Sequence, residues 1–262
     1  MKNINFSIIV ASLNTRLDFL ATLKSIEKQT CKDYETIVID GDSHDGTEKE
    51  ILKNKNVISK YIIEKDKGVY DAMNKDIDIA NGNWIIFLNS GDIFFDEKVL
   101  TEFKLNNFSE FDVVYGDTIV NTSEFGYMKN SNYFSRKTLL MPFCHQSVFV
   151  KSKLLKERKF SVDYKLSSNF DFFTDCFLKK RKFKKIKKTI LKVKSGGLAD
   201  ISRQKVYDEN IDIIRKKYNS KHYYLLYCLK FIQYFKDLIK ILFPKKIQIL
   251  ILKIKHQKNL VK

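Results

Sequence analysis

Apolar and polar positions fall in blocks over the first part of the chain. Phe6-Ser7-Ile8-Ile9-Val10-Ala11 is an apolar run that breaks at Ser12-Leu13-Asn14, and Thr36-Ile37-Val38-Ile39 breaks at Asp40-Gly41-Asp42. Residues 58–63 break at Glu64-Lys65-Asp66-Lys67-Gly68, and Trp84 to Leu88 breaks at Asn89-Ser90-Gly91-Asp92. Continuous apolar runs closed by turn-forming residues predict strands buried on both faces. Between them, Leu17, Leu20, Leu23 and Ile26 predict a helix over 16–29 with one core-facing stripe; a second helix runs through about residue 52 and a third covers 69–80. Strand and helix in alternation predict an α/β fold, a mostly parallel central sheet with helices on both faces.

Such a sheet binds ligands at the carboxyl ends of its strands. All four predicted ends carry Ser, Asn or Asp: Ser12 and Asn14, Asp40 and Asp42, Asp66, then Asn89 and Asp92. Any one of these suits a helix cap or a turn; four on one edge describe a polar pocket. Beyond Asp92 the pattern loosens. Residues 112–117 and 142–149 read as further strands, the second carrying His145, and 167–178 reads as an amphipathic helix led by Asn169 and Asp171. Residues 179–194 are densely basic, with Phe183, Ile186, Ile190 and Val193 interspersed. Residues 223–255 set aromatic and aliphatic residues among lysines, and Pro244 breaks them into two helices. This organisation predicts a domain over 1–215 and a basic, aromatic-rich helical tail over 216–262.

Composition adds an asymmetry. Residues 1–150 carry 17 Lys+Arg against 22 Asp+Glu, whereas 151–262 carry 31 against 9, so the net charge of +17 belongs to the second half. Cys31, Cys144, Cys176 and Cys228 are isolated, which argues against a zinc site or a disulfide framework. Neither GxxxxGK[ST] nor GxGxxG after the first strand occurs, which disfavours a P-loop or a dinucleotide site. A carboxylate-lined edge suits Mg²⁺ or Mn²⁺, hard cations that take oxygen ligands and keep substrate phosphates in their shell. A metal there would neutralise a departing diphosphate.

The stretches "SIIVASLN", "DYETIVIDGDSHDGT", "EKDKGVYDAMNKDIDIANGNWIIFLNSGD", "PFCHQSVF" and "SSNFDFF" occur in that order. With them the chain resembles, over about residues 6–200, the family 2 glycosyltransferases of the GT-A fold, inverting enzymes that use nucleotide-activated sugars, of the kind that builds bacterial surface polysaccharide such as lipopolysaccharide or capsule. The resemblance implies that Ser12, Asn14 and Asp40 surround the nucleoside and that Asp66 lines the nucleotide-sugar site, with Gly68 letting backbone approach the ligand. Asp71 and Asn74 share a face of the helix that follows. It further implies that Asp92 binds Mn²⁺ or Mg²⁺ and that His145 and Gln146 stand near the diphosphate or the acceptor, while the amide oxygen of Asn89 can orient a ribose hydroxyl or bind the metal weakly. The implied donor is a nucleotide sugar, a UDP-sugar in the commonest case, and the acceptor a hydroxyl of a glycan or lipid-linked saccharide.

Two positions depart from the family pattern. Many members carry Asp-x-Asp where this chain has Asn89 and Gly91, and the general base's place in "SSNFDFF" is held by Asn169, an amide that cannot take up a proton. Three readings stay open: Asp171 is the base, the chain binds donor without efficient transfer as a binder or partner subunit, or the motif register is shifted.

In the tail, Tyr223, Tyr227, Phe231, Tyr234 and Phe235 alternate with Lys230, Lys236, Lys240 and Lys245, the signature of an interfacial amphipathic region. No stretch reaches the roughly 18 apolar residues of a membrane span. Met1-Lys2-Asn3-Ile4-Asn5 leads into a strand-like run and not into an apolar leader. The expectation is a cytoplasmic protein held peripherally on the inner face of the cytoplasmic membrane, where lipid-linked acceptors reside; oligomerisation is the tail's other use. A basic half with interleaved aromatics also suits single-stranded nucleic acid, but no nucleic-acid motif accompanies it, and nucleic acid is not expected as a partner.

Overall fold

The four apolar runs become four adjacent parallel strands. In the computed structural model, which describes residues 4–65, 68–219 and 221–261, β1 (Phe6–Ser12), β2 (Tyr34–Asp40), β3 (Lys60–Ile63) and β4 (Trp84–Asn89) lie in the order β3-β2-β1-β4. The intervening segments form α1 (Arg16–Glu27), α2 (Thr47–Lys53) and α3 (Val69–Ile79). Alternate side chains of a strand point to opposite faces. Ile8 and Val10 therefore enter one core with Val38, Ile86 and Leu88, under Phe19, Leu23 and Ile26 of α1. Ile9 enters the other with Ile37, Ile85 and Phe87, under Tyr70, Met73 and Ile77 of α3. The buried stripe of α1 is Phe19, Thr22, Leu23 and Ile26 and not the every-third set, because positions three apart drift around a helix of 3.6 residues per turn; Leu17 is 80% exposed.

Antiparallel strands extend the sheet beyond β4. After the short β5 (Ile93–Phe94) and α4 (Val99–Leu105) come β6 (Val113–Asn121), β7 (Gly126–Lys129) and β8 (Val148–Lys151), and the order continues β4-β8-β6-β7. The strand expected over 142–149 begins only at Val148. Residues before it make a loop closed by the bond from Ser147 N to the Cys144 carbonyl, and Pro142 has no N–H to give a ladder. Next come α5 (Ser152–Arg158), α6 (Ser168–Leu178) and β9 (Phe183–Lys194). β9 runs parallel to β6 and its end pairs with β5. Gly116 is required where β9 bulges against β6, since a Cβ there would stand 2.3 Å from the Lys188 carbonyl oxygen.

The chain continues through α7 (Leu198–Ile201), α8 (Arg203–Asp212), a π-helical stretch (Ile213–Lys217), α9 (Tyr223–Leu242) and α10 (Lys245–Lys255), with Pro244 at the break as its fixed φ demands. Ile211, Ile213, Ile214 and Leu226 pack with Phe170 of α6 in a third core, so buried residues lie on both sides of position 216. The final strand, β10 (Leu260–Val261), pairs with β7, and His256 stacks on Tyr127 at 3.8 Å.

One buried group works against this packing. Asp76 of α3 is fully buried, and among the described residues neither carboxylate oxygen has a hydrogen-bond partner. Burial pushes its pKa up to about 8. A carboxyl whose folded pKa is raised supports the fold fully only below its unfolded value near 4, and stability drains away as pH rises toward about 8. Asp76→Ala is expected to raise the melting temperature, by roughly 1–3 kcal/mol of stability at pH 6 and by more at pH 9. Thermal unfolding at both values checks it, and an unchanged or lowered melting temperature at pH 9 would contradict it.

Candidate active site

Strand register brings the predicted edge together. Ser12 pairs with Asp40 and Ala11 with Asn89, so the ends of β2, β1 and β4 stand in a row. Asn14, held at φ 51°, gives its backbone N–H to Ser43 Oγ at 2.7 Å, and its Oδ1 accepts from His44 N at 2.8 Å. This amide staples the loop after β1 to the loop after β2. Ser12 Oγ lies 3.2 Å from Thr15 Oγ1. Asp40 is fully buried, with both oxygens taken by Ser43: Oδ2 from its N and Oδ1 from its Oγ, each at 2.7 Å. Its place is to pin the second loop. Asp42, which this loop presents to solvent along with His44 and Asp45, stands at φ 68°, a backbone that a short polar side chain tolerates. Asp66 lies outside the described residues. Gly68 stands at φ 131° with open space where a Cβ would go, so backbone conformation and not crowding calls for glycine.

At the end of β4 the Asn89-Ser90-Gly91-Asp92 turn is closed from inside. Asp92 Oδ2 accepts from Asn89 N at 2.9 Å and Oδ1 from Lys194 N at 3.4 Å, while the Asp92 carbonyl accepts from the buried Thr22 hydroxyl at 2.9 Å. Thr22 Oγ1 in turn accepts from Gly91 N at 2.9 Å. Asp92 is 3% exposed, and burial pushes its pKa up to about 7 against the bonds from Asn89, Lys194 and Gln146. A hard cation needs ionised oxygens facing outward. Asp92 turns inward, glycine occupies position 91, and no group of three His, Cys, Asp or Glu converges among the described residues. The residues present do not fit the Mn²⁺ or Mg²⁺ site expected at Asp92.

The loop before β8 supplies Cys144, whose thiol donates to Gln146 Oε1 at 2.8 Å, and His145. Half-buried His145 is pushed down to about 4 by burial and by the charge of Lys129, so its imidazole is neutral at pH 7.

On α6 the two candidates part company, as residues two apart on a helix must. Asn169 turns to α3: its Oδ1 lies 3.1 Å from the Tyr70 hydroxyl and accepts from Phe170 N at 2.8 Å. Asp171 turns away into a buried ion cluster. Its Oδ2 meets Arg158 Nη2 and Lys217 Nζ, each at 2.7 Å, and its Oδ1 accepts from the Tyr218 hydroxyl at 3.0 Å. Burial alone would raise its pKa, but the Lys217 and Arg158 bonds outweigh that and hold it below the usual carboxylate range. A fully buried carboxylate engaged on both oxygens is not placed to take a proton from an acceptor. This corrects the role expected of Asp171: it clamps α5 and the π-helical stretch to α6.

Three participants escaped sequence reading. Thr22 sits inside a helix stripe and Lys194 inside a basic run, and neither has a motif of its own. Ser43 carried a signal, standing in the same "DGDSHDGT" stretch as Asp40. For the ion cluster, Arg158→Met is expected to cost about 3–5 kcal/mol at pH 7, because it strips a cation from a buried carboxylate. Asp171's lowered pKa means that its stabilisation is present above its unfolded value near 4 and is lost as pH falls below it. The penalty should therefore shrink at pH 3.5, as measured by denaturant unfolding at both pH values.

The family model described as "Glycosyl transferase family 2" matches residues 7–192. A "PGL/p-HBAD biosynthesis glycosyltransferase" of Mycobacterium bovis is 33% identical over 180 residues, covering 66% of this chain and 69% of that one. An Escherichia coli protein, "UDP-Glc:alpha-D-GlcNAc-diphosphoundecaprenol beta-1,3-glucosyltransferase WfgD", is 31% identical over 112 residues, covering 42% of this chain and 44% of its own. Among solved structures, S. aureus TarS 1-349 in complex with UDP-GlcNAc superposes with a TM-score of 0.64 at 18% identity, over 81% of this chain and 67% of that one. The mannosyltransferase PcManGT from Pyrobaculum calidifontis, in complex with GDP-Man and Mn²⁺, gives 0.63 at 14% identity, over 82% of this chain and 64% of its own. The parallel strands, the polar row at their carboxyl ends and a family match over most of the chain agree: this protein belongs to glycosyltransferase family 2.

Proposed function

We propose that the chain transfers a sugar, with inversion, from a nucleotide-diphosphate donor to a hydroxyl of a glycan or lipid-linked acceptor. The observation that carries this reading is the row of Ser12, Asp40 and Asn89 across three parallel strand ends, beside the locked turn at Asp92. The nucleoside lies over the loops after β1 and β2, where Asn14, Asp42 and Ser43 meet, and the diphosphate lies over the turn after β4. The acceptor oxygen attacks the anomeric carbon from the face opposite the diphosphate; the bond to the β-phosphate oxygen breaks, its electron pair stays on that oxygen, and the acceptor proton passes to water. A UDP-sugar is the favoured donor and a lipid-linked saccharide the favoured acceptor, as the names of the TarS complex and the E. coli relative suggest. PcManGT was crystallised with Mn²⁺, whereas the turn after β4 holds Asp92 with both oxygens bonded inward.

Asn169 supports a second reading, a binder or partner subunit of low activity, because the amide positions but does not deprotonate. Asn169→Asp separates the two. General-base catalysis is worth about 10²–10⁴-fold. If the amide stands in the base's place, the variant releases nucleoside diphosphate at least about tenfold faster than wild type when acceptor is present, and no faster without it. Equal rates would mean that position 169 takes no part in proton transfer.

We also propose that α9 and α10 lie on the anionic face of a membrane. Tyr227, Phe231, Tyr234, Leu238 and Leu242 form an exposed stripe at helical spacing, and Ile247, Leu250, Ile251 and Ile254 form another. Residues 216–262 hold 12 lysines against the single acid Asp237, a charge suited to anionic headgroups. No helix among the described residues is long and apolar enough to cross a membrane. Phe231→Glu combined with Leu238→Glu is expected to reduce co-sedimentation with vesicles of mixed anionic and zwitterionic phospholipid by at least roughly tenfold; undiminished sedimentation would count against the lipid surface.

A further inference from the structure

The last residue of β9, Lys194, packs beside the turn after β4, where a metal-binding site would need an acid. Gly91 stands at φ 98°, and a Cβ built on it would lie 3.4 Å from Lys194 Cδ and 3.5 Å from Cβ and Cγ of Asp18. The space that a carboxylate at position 91 would enter is thus bordered by the stem of Lys194. Two bonds hold that lysine in place: its backbone N donates to Asp92 Oδ1 at 3.4 Å, and its ammonium bonds Asp18 Oδ2 at 2.7 Å. Asp18 belongs to the first turn of α1, which follows β1, so the ion pair sits at the carboxyl edge of the sheet, over the turn. The Lys194 side chain is 60% exposed, leaving its ammonium within reach of a ligand. Gly196 and Gly197 follow, with nothing within 4 Å of a Cβ built on either, so the chain beyond Lys194 is uncrowded.

The same turn offers a cation little. Asp92 faces inward with both oxygens bonded to backbone amides, and Asn89 contributes at most a neutral amide oxygen. A diphosphate arriving over this turn meets an ammonium before it meets any outward carboxylate of the turn. An N⁺–H···O⁻ bond to phosphate is among the stronger hydrogen bonds, and a lysine serves as a point charge for phosphate. The diphosphate of a nucleotide sugar carries two negative charges, one on each phosphate, against one on the Asp18 carboxylate, so Lys194 can exchange one partner for the other without being stranded.

We infer that Lys194, and not a divalent cation, neutralises the diphosphate of the donor in this chain. The inference rests on the nucleotide-sugar reading above. Its consequence is that nucleotide affinity is insensitive to chelators and falls with rising ionic strength, as for any partly exposed ion pair.

Calorimetric titration of the full chain with UDP and, separately, GDP, in EDTA and then in Mn²⁺, tests it. The expected result is binding in EDTA within about threefold of that in Mn²⁺, and at least about tenfold weaker binding by Lys194→Ala under both conditions, equivalent to roughly 1.4 kcal/mol. Lys194→Arg, which keeps the charge, should restore most of the affinity. Melting curves of the unliganded variants, expected within a few degrees of wild type for an exposed position, separate lost binding from lost fold. Binding only with Mn²⁺, or wild-type affinity for Lys194→Ala in EDTA, overturns the role of Lys194 and leaves the nucleotide-sugar reading standing. No binding of either nucleotide in either condition overturns both.

Discussion

Asp92 accepts hydrogen bonds from the backbone amides of Asn89 and of Lys194, two strand ends more than a hundred residues apart in the chain. Thr22 adds a third element, bridging Gly91 N and the Asp92 carbonyl from within α1. Three segments that meet only in the folded state are thereby locked around one four-residue turn. Around that lock Lys194 stands over Gly91, and Gln146 bonds Asp92 as well. A carboxylate that at first suggests metal chemistry is occupied in holding the edge that carries the candidate site.

Three buried acids show how neighbours decide what a carboxylate can do. Asp171 has two cations and a tyrosine hydroxyl, and stays charged below the usual range. Asp92 is bonded chiefly by backbone amides, and burial raises it to about 7. Asp76 has no hydrogen-bond partner among the described residues and rises to about 8. Desolvation acts on all three; the outcome follows from how much opposing charge each one meets. The one that remains firmly ionised is buried with both oxygens engaged, whereas Asn169 faces Tyr70 of α3.

The C-terminal region combines two roles that its composition alone does not distinguish. Ile211, Ile213, Ile214 and Leu226 belong to a core shared with α6, and Lys217 belongs to the Asp171 cluster. Farther on, α9 and α10 expose their apolar stripes, and β10 ties the end back to the sheet at β7. The tail is therefore joined to the transferase domain at both ends, and its unpartnered surface lies between.

Much of this was legible in the chain. Continuous apolar runs such as Ile85-Ile86-Phe87-Leu88, when they form strands, direct apolar side chains to both sides and so call for a sheet covered on both faces, and the polar cluster after each run had to fall on one edge once the strands were parallel. Those two facts, with the motifs from "SIIVASLN" to "SSNFDFF", determined the fold class, the family and the edge that carries the candidate site. The partners of each side chain were decided by tertiary structure alone. Whether Asp92 faces a ligand or the turn depends on Lys194 pairing beside it, whether Asp171 is a base or a clamp depends on Arg158 and Lys217, and whether Gly91 leaves room for a cation depends on a lysine more than a hundred residues away. Local periodicity carries information about neighbours three or four residues distant; contacts across such separations arise only when the sheet has closed.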